Sequence, residues 1–115
     1  MSQLNVNSRQ AGDVAILDLT GEIRIGGGAT ALREAIRNLS ASGSNKILLN
    51  LAGVKYIDSS GIGELIANYT TASRGGGQLK LLNLTDKVQD LLVITKLLTV
   101  FDVYDNETEA LSSFK

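Results

Sequence analysis

The chain has no cysteine and no histidine. Without thiols there is no disulfide framework and no thiolate nucleophile. Without imidazole the commonest general base and the commonest metal ligand are both missing, which weighs against an enzyme. Aromatic residues make up only 4% of the 115 positions, so a core drawn from the 43% hydrophobic content must be built from Leu, Ile, Val and Ala. An excess of one charge is lacking too, with 11 basic residues against 12 acidic ones. No basic stripe stands out, and nucleic acid is not expected as a ligand. Apolar runs are short and interrupted, so no segment is expected to span a membrane. The start, Met1-Ser2-Gln3-Leu4-Asn5, lacks the basic-then-apolar form of a secretory signal. The cytoplasm is therefore the expected location, and the Asn-x-Ser/Thr triplets at Asn38, Asn68, Asn83 and Asn106 carry no weight there. Proline is absent as well, and its absence decides nothing.

What is present reads as a single domain over residues 1–115, of ordinary size. Leu4 to Arg9 suggests a first strand, Ala11-Gly12-Asp13 a turn, and Val14 to Leu19 a second strand closing a hairpin. Gly21 and Gly26-Gly27-Gly28 break the pattern. From Ala29 to Ala41 the apolar positions Leu32, Ala35, Ile36 and Leu39 recur at helical spacing, and Gly43 suits the stop. Lys46 to Leu51 has the continuous apolar character of a buried parallel strand, and Val54 to Asp58 leads out of it. A second helix follows Ser59-Ser60-Gly61 with a stripe of Ile62, Leu65, Ile66 and Tyr69, stopped by Gly75-Gly76-Gly77. Gln78 to Leu82 is the next strand. Thr85 can cap a third helix, with Asp86 in its first turn and Val88, Leu91 and Leu92 on its inner face. Val100 to Tyr104 is a last strand. Asn106-Glu107-Thr108-Glu109 resembles a capping box for a closing helix through Phe114. The alternation of strands and helices predicts an α/β fold: a mixed, mostly parallel sheet of about five strands after an N-terminal hairpin, with about four helices.

Most chemistries fail on inspection. A phosphate-binding loop needs Gly-x4-Gly-Lys-Ser/Thr, and after Gly21 and Gly26 come Gly27 and Gly28 instead. The dinucleotide fingerprint fails where Ile66 stands for the third glycine after Gly61 and Gly63. Ser59-Ser60-Gly61 is not a nucleophile elbow, and no histidine could activate it. The acids Asp13, Asp18, Glu22, Asp58, Glu64, Asp86 and Asp90 are scattered, without calcium-loop spacing. No metal and no cofactor are expected.

One segment is different. Tyr56-Ile57-Asp58-Ser59-Ser60-Gly61-Ile62-Gly63 lies where a parallel strand hands over to a helix, the end of such sheets where ligands and partners meet a protein. Helix capping alone would account for one polar residue. It does not require two serines followed by glycines.

Val54 to Gly63, with the apolar helix after it, resembles the motif of bacterial anti-sigma factor antagonists in the STAS domain family. Leu17 to Ile23, Gly75 to Leu81 and Leu91 to Val103 are similar to further stretches of that family, so the resemblance covers nearly the whole chain. It implies a STAS fold and a non-enzymatic partner switch. The unmodified antagonist would bind an anti-sigma factor that is also a serine kinase of the GHKL type. Phosphorylation of a serine would dissociate the complex, and a PP2C-type phosphatase would reset it. The residue carried over for modification is Ser59, with Ser60 as the fallback. Asp58, Ser59, Ser60, Gly61, Ile62, Gly63 and Arg24 are implied as partner-binding. Asp58 is expected to present the serine or simply to cap the helix. Gly61 and Gly63 would allow close approach or tight packing, and Ile62 would be a contact or a core residue. Arg24 stands where many members carry an acid, and its charge could pair with a phosphate or an acidic partner. A phosphate at this helix start would meet free backbone N–H groups and the helix dipole. The competing reading is a STAS scaffold or sensor-complex subunit without regulated phosphorylation. A homodimer is compatible with either.

Overall fold

The computed structural model describes residues 4–114. Strands β1 (Leu4–Ala11) and β2 (Val14–Ile23) form an antiparallel hairpin. Then follow α1 (Gly27–Ala41), β3 (Lys46–Ile57), α2 (Ser59–Arg74), β4 (Gln78–Leu82), α3 (Asp86–Ile94), β5 (Val103–Tyr104) and α4 (Glu107–Ser112). The sheet order is β1-β2-β3-β4-β5, and every pair after the hairpin is parallel. Each crossover advances by one strand in the same direction. Crossovers of one hand then place their helices on one face.

The strand period of two sorts the apolar residues between the faces. Leu17, Leu19, Ile47, Leu49, Leu51, Leu79 and Leu81 pack in the main core with Leu32, Ile36, Leu65, Val88 and Leu92 of α1, α2 and α3. The intervening Ile16, Leu48 and Leu82 face the other way and meet Ala110 of α4. That second face is small and rimmed by charge. Arg9 pairs with Asp18 at 2.6 Å and with Glu107 at 2.7 Å, and Lys80 donates to the Ser113 carbonyl at 3.0 Å.

Two local differences from the sequence reading matter. β3 does not end at Leu51 but runs through Ala52 and Gly53 to Ile57. Asp18 to Thr20 on β2 spans Asn50 to Gly53 on β3, and Gly21 to Glu22 spans Val54 to Tyr56. Each shift inserts one extra residue in β3, a bulge that moves the next inward position from i+2 to i+3. Leu51, Val54 and Ile57 therefore all reach the same core. The last strand is also shorter than Val100–Tyr104. Phe101 leaves the sheet edge and packs edge-on against Tyr69, with centroids 5.3 Å apart.

Candidate functional site

Parallel pairing of β2 and β3 brings their carboxyl ends, Ile23 and Ile57, side by side. The residues that follow, Arg24-Ile25 and Asp58-Ser59, meet at one corner. Asp58 is the N-cap of α2, in extended conformation. Its Oδ1 accepts from the Gly61 N–H at 2.9 Å and its Oδ2 from the Ile25 N–H at 3.0 Å. Its own N–H donates to the Ile23 carbonyl at 3.2 Å, and its carbonyl accepts from the Ile62 N–H at 3.0 Å. Asp58 thus caps one helix and ties the preceding loop to it. Its carboxyl is held below the usual range, chiefly by the Ile25 N–H, then by the Gly61 and Ser60 N–H groups and the Arg24 charge, against some desolvation.

Ser59 is exposed, as the first residue of α2, and Ser60 is half-buried. Gly63 is exposed, with open space where a Cβ would stand. Gly61 and Ile62, expected among the partner contacts, are instead buried. A Cβ on Gly61 would sit 2.5 Å from the Ile23 carbonyl oxygen and 2.6 Å from Ile57 Cγ1, so this glycine permits tight packing of the helix start against both strand ends. Ile62 joins the main core, the alternative its helical spacing allowed. For these two residues, direct contact gives way to support of the exposed serine beside them. Gly28 makes a matching close approach to the Glu22 carbonyl at the start of α1.

A second correction concerns the helix N-terminus. The N–H groups of Gly61 and Ile62 are engaged by Asp58 itself. They are not free to receive a phosphate.

Arg24 is half-exposed. Its Nε lies 3.0 Å from Glu22 Oε1, and its guanidinium stacks 4.3 Å over the Tyr56 ring. Ile25, 75% exposed, is held beside Asp58 by its backbone. Sequence reasoning missed Glu22 and Ile25 as members of this corner, and it singled out the segment that Tyr56 begins without giving Tyr56 a contact. The signal was there in two successive strands expected to be parallel neighbours, whose carboxyl ends must adjoin. Tyr56 also lines a groove of about 300 Å³ with Lys87, Asp90, Leu91 and Ile94. A larger cavity, about 510 Å³, opens between Asn83, Gln89 and Tyr104 and includes neither Asp58 nor Ser59.

Among the described residues no group of three or more acidic side chains is placed to hold a metal ion. No described helix is long and apolar enough to cross a membrane. What the corner offers chemically is an exposed hydroxyl on a rigid backbone, flanked by one fixed carboxylate and one loosely held guanidinium.

The STAS domain family model matches residues 5–110. The anti-sigma-B factor antagonist of Bacillus subtilis (strain 168) is 31% identical over 100 residues, covering 87% of this chain and 90% of its own. The crystal structure of an anti-sigma factor antagonist from Mycobacterium paratuberculosis superposes with a TM-score of 0.86 at 20% identity, covering 99% of this chain and 98% of that one. The Bacillus cell fate determinant SpoIIAA in its phosphorylated form gives 0.73 at 19% identity, covering 94% and 97%. At these identities the two structures establish a shared fold.

Proposed function

The chain belongs to the STAS domain family, and on that premise we propose that it is an anti-sigma factor antagonist that works by regulated phosphorylation of Ser59. Unmodified, it binds an anti-sigma factor that is also a serine kinase of the GHKL type, and acts in the cytoplasm. The Ser59 hydroxyl oxygen takes the terminal phosphoryl group of a nucleoside triphosphate. The hydroxyl proton passes to a base of the kinase, and the nucleoside diphosphate leaves. A PP2C-type phosphatase hydrolyses the ester and restores the hydroxyl.

The observation that carries this reading is the exposure of Ser59 directly after an aspartate fixed by two backbone N–H groups. A kinase needs a serine that is reachable and held in one place, and both conditions are met here. Ser60 is less accessible and its N–H faces Asp58, which favours Ser59 as the modified residue. The backbone beneath Ser59 is anchored to Ile23 and Ile57, so a phosphate can be added without disturbing the core. In a closed interface the same phosphate brings almost two negative charges beside the Asp58 carboxylate. An unpaired buried charge of this kind costs roughly 2–5 kcal/mol or more, enough to release a partner.

The test is binding of the anti-sigma factor/serine kinase to three forms of the protein. Wild type and Ser59→Ala are expected to bind alike, and Ser59→Glu at least about tenfold more weakly. Equal binding of Ser59→Glu would contradict the proposal.

A further inference from the structure

The phosphate of the proposed switch must find a counter-charge, and the structure restricts where it can come from. In the first turn of α2 the Gly61 and Ile62 N–H groups already donate to Asp58. The charged side chains that β2, β3, α1, α2 and their connections bring to this end of the sheet are Glu22, Arg24, Lys55, Asp58, Arg33 and Glu64, with Tyr56 the remaining titratable group. From α3, Lys87 and Asp90 line a groove on the other side of Tyr56, a cation and an anion together. Asp58 and Glu22 repel a phosphate. Arg33 is committed to Glu64, with contacts of 2.7 and 3.0 Å to one carboxylate oxygen. Lys55 is exposed on β3. Arg24 differs from all of these. It makes one ion-pair contact, to Glu22 at 3.0 Å, and rests on the Tyr56 ring with half of its side chain in solvent. Its neighbour Ile25 donates its N–H to Asp58 Oδ2 at 3.0 Å, and Ile23 pairs with Ile57, so Arg24 leaves its strand beside the residue that precedes Ser59.

We infer that Arg24 is the intramolecular receptor for a phosphate on Ser59, leaving the Glu22 carboxylate to pair with it. This rests on Ser59 being the modified residue. The exchange is favourable because the phosphate carries nearly twice the charge of the Glu22 carboxylate. The stack on Tyr56 keeps the guanidinium plane at the corner while its ion-pair partner changes. Arg24 is then a positioning residue of the modified state: it offsets the repulsion between the phosphate and Asp58 and fixes where the phosphate sits. The loop it belongs to also carries Ile25, so the modified protein presents a rearranged Arg24-Ile25 surface to any partner.

The experiment installs phosphoserine at position 59 during translation, through an expanded genetic code, so that no kinase is needed. Failure of the kinase reading would leave this measurement intact, and the reverse. Phosphorus-31 NMR then follows the second ionisation of the phosphate, ordinarily near pH 6. In the full chain it is expected to lie roughly half a pH unit lower than in Arg24→Gln, the shift an exposed ion pair produces. Arg24→Lys should keep part of the shift, and Lys55→Gln should leave it unchanged. An ionisation that is the same with and without Arg24, or one that moves as far in Lys55→Gln, overturns the assignment. Arg24 is exposed, so its variants are expected to fold, and a thermal melt of each checks that they have.

Discussion

Helices α1 and α2 begin at the same end of the sheet, over adjacent strands, in opposite ways. α1 starts at Gly26, which has φ 86° and no side chain with which to cap anything. α2 starts at Asp58, which caps its own helix and uses its second oxygen to hold the Ile25 N–H, one residue before Gly26. The helix without a cap borrows order from the helix that has one. α3 makes the contrast sharper. Its cap, Thr85, accepts from the Val88 N–H at 3.4 Å and donates to the Val54 carbonyl at 3.1 Å, well away from the β2–α1 loop. Both caps reach a distant residue, but Thr85 ties its helix to a strand, whereas the second oxygen of Asp58 accepts from a loop and joins two loops into one corner. Serving as a cap and building a site are thus compatible tasks for Asp58.

The largest effect expected from disturbing this corner comes from its glycines. Gly61→Val would drive side-chain atoms into the Ile23 carbonyl and Ile57, and should cost about 3 kcal/mol in urea unfolding. Gly63→Ala, two residues further along the same helix, meets nothing within 4 Å and should gain about 0.5–1 kcal/mol. Equal effects at the two positions would remove the case for a tightly seated helix start.

Caps come next. Asp58→Ala loses both the α2 cap and the tie to Ile25, and should cost about 2 kcal/mol. Thr85→Ala loses its cap and the bond to Val54, for about 1 kcal/mol. Amide exchange separates the two more cleanly than stability does. The Ile25 amide should exchange faster in Asp58→Ala and be unchanged in Thr85→Ala.

The smallest effect is on pH. Asp58, Asp18 and Glu107 have carboxyls held below their usual range: Asp58 chiefly by the Ile25 N–H, Asp18 and Glu107 chiefly by Arg9. A depressed folded-state pKa contributes stability that is present above the unfolded value, near 4, and is lost as pH falls through the folded value. With no histidine, stability should be flat from about pH 5.5 to 8 and decline only below about pH 4. Asp58→Asn should weaken that acid decline, because an amide takes up no proton in this range, and should lower stability at neutral pH, because its nitrogen cannot replace a carboxylate oxygen as acceptor. A midpoint that falls between pH 7 and 6 would be inconsistent with this ordering of charges.

Much of this architecture is legible in the sequence. The caps at Thr85 and Asn106 are found where hydroxyl and amide residues precede periodic helices, and both accept the expected backbone N–H. The alternation of elements gives the parallel sheet because crossovers leave few other arrangements. Asp58 is legible as a cap, since capping is a local act within four residues. Its tie to Ile25 joins positions 33 apart, and only the adjacency of β2 and β3 brings them together. The inward turn of Ile62 is ambiguous for a related reason: helical spacing defines a stripe but not which neighbours cover its first turn. The passage of β3 through Gly53 is hidden because two bulges break the alternation that identifies a strand. Arg24 shows as a basic residue in a glycine-rich loop, while its stack on Tyr56 needs the folded strand ends.

The proposed switch depends on which side chain carries the phosphate. The direct measurement is phosphosite mapping of the native protein, with fragmentation of the tryptic peptide from Tyr56 to Arg74, beside Ser59→Ala and Ser60→Ala. One phosphate is predicted, on Ser59, lost in Ser59→Ala and retained in Ser60→Ala. A phosphate on Ser60, or none on this peptide under conditions where the kinase is active, would contradict it.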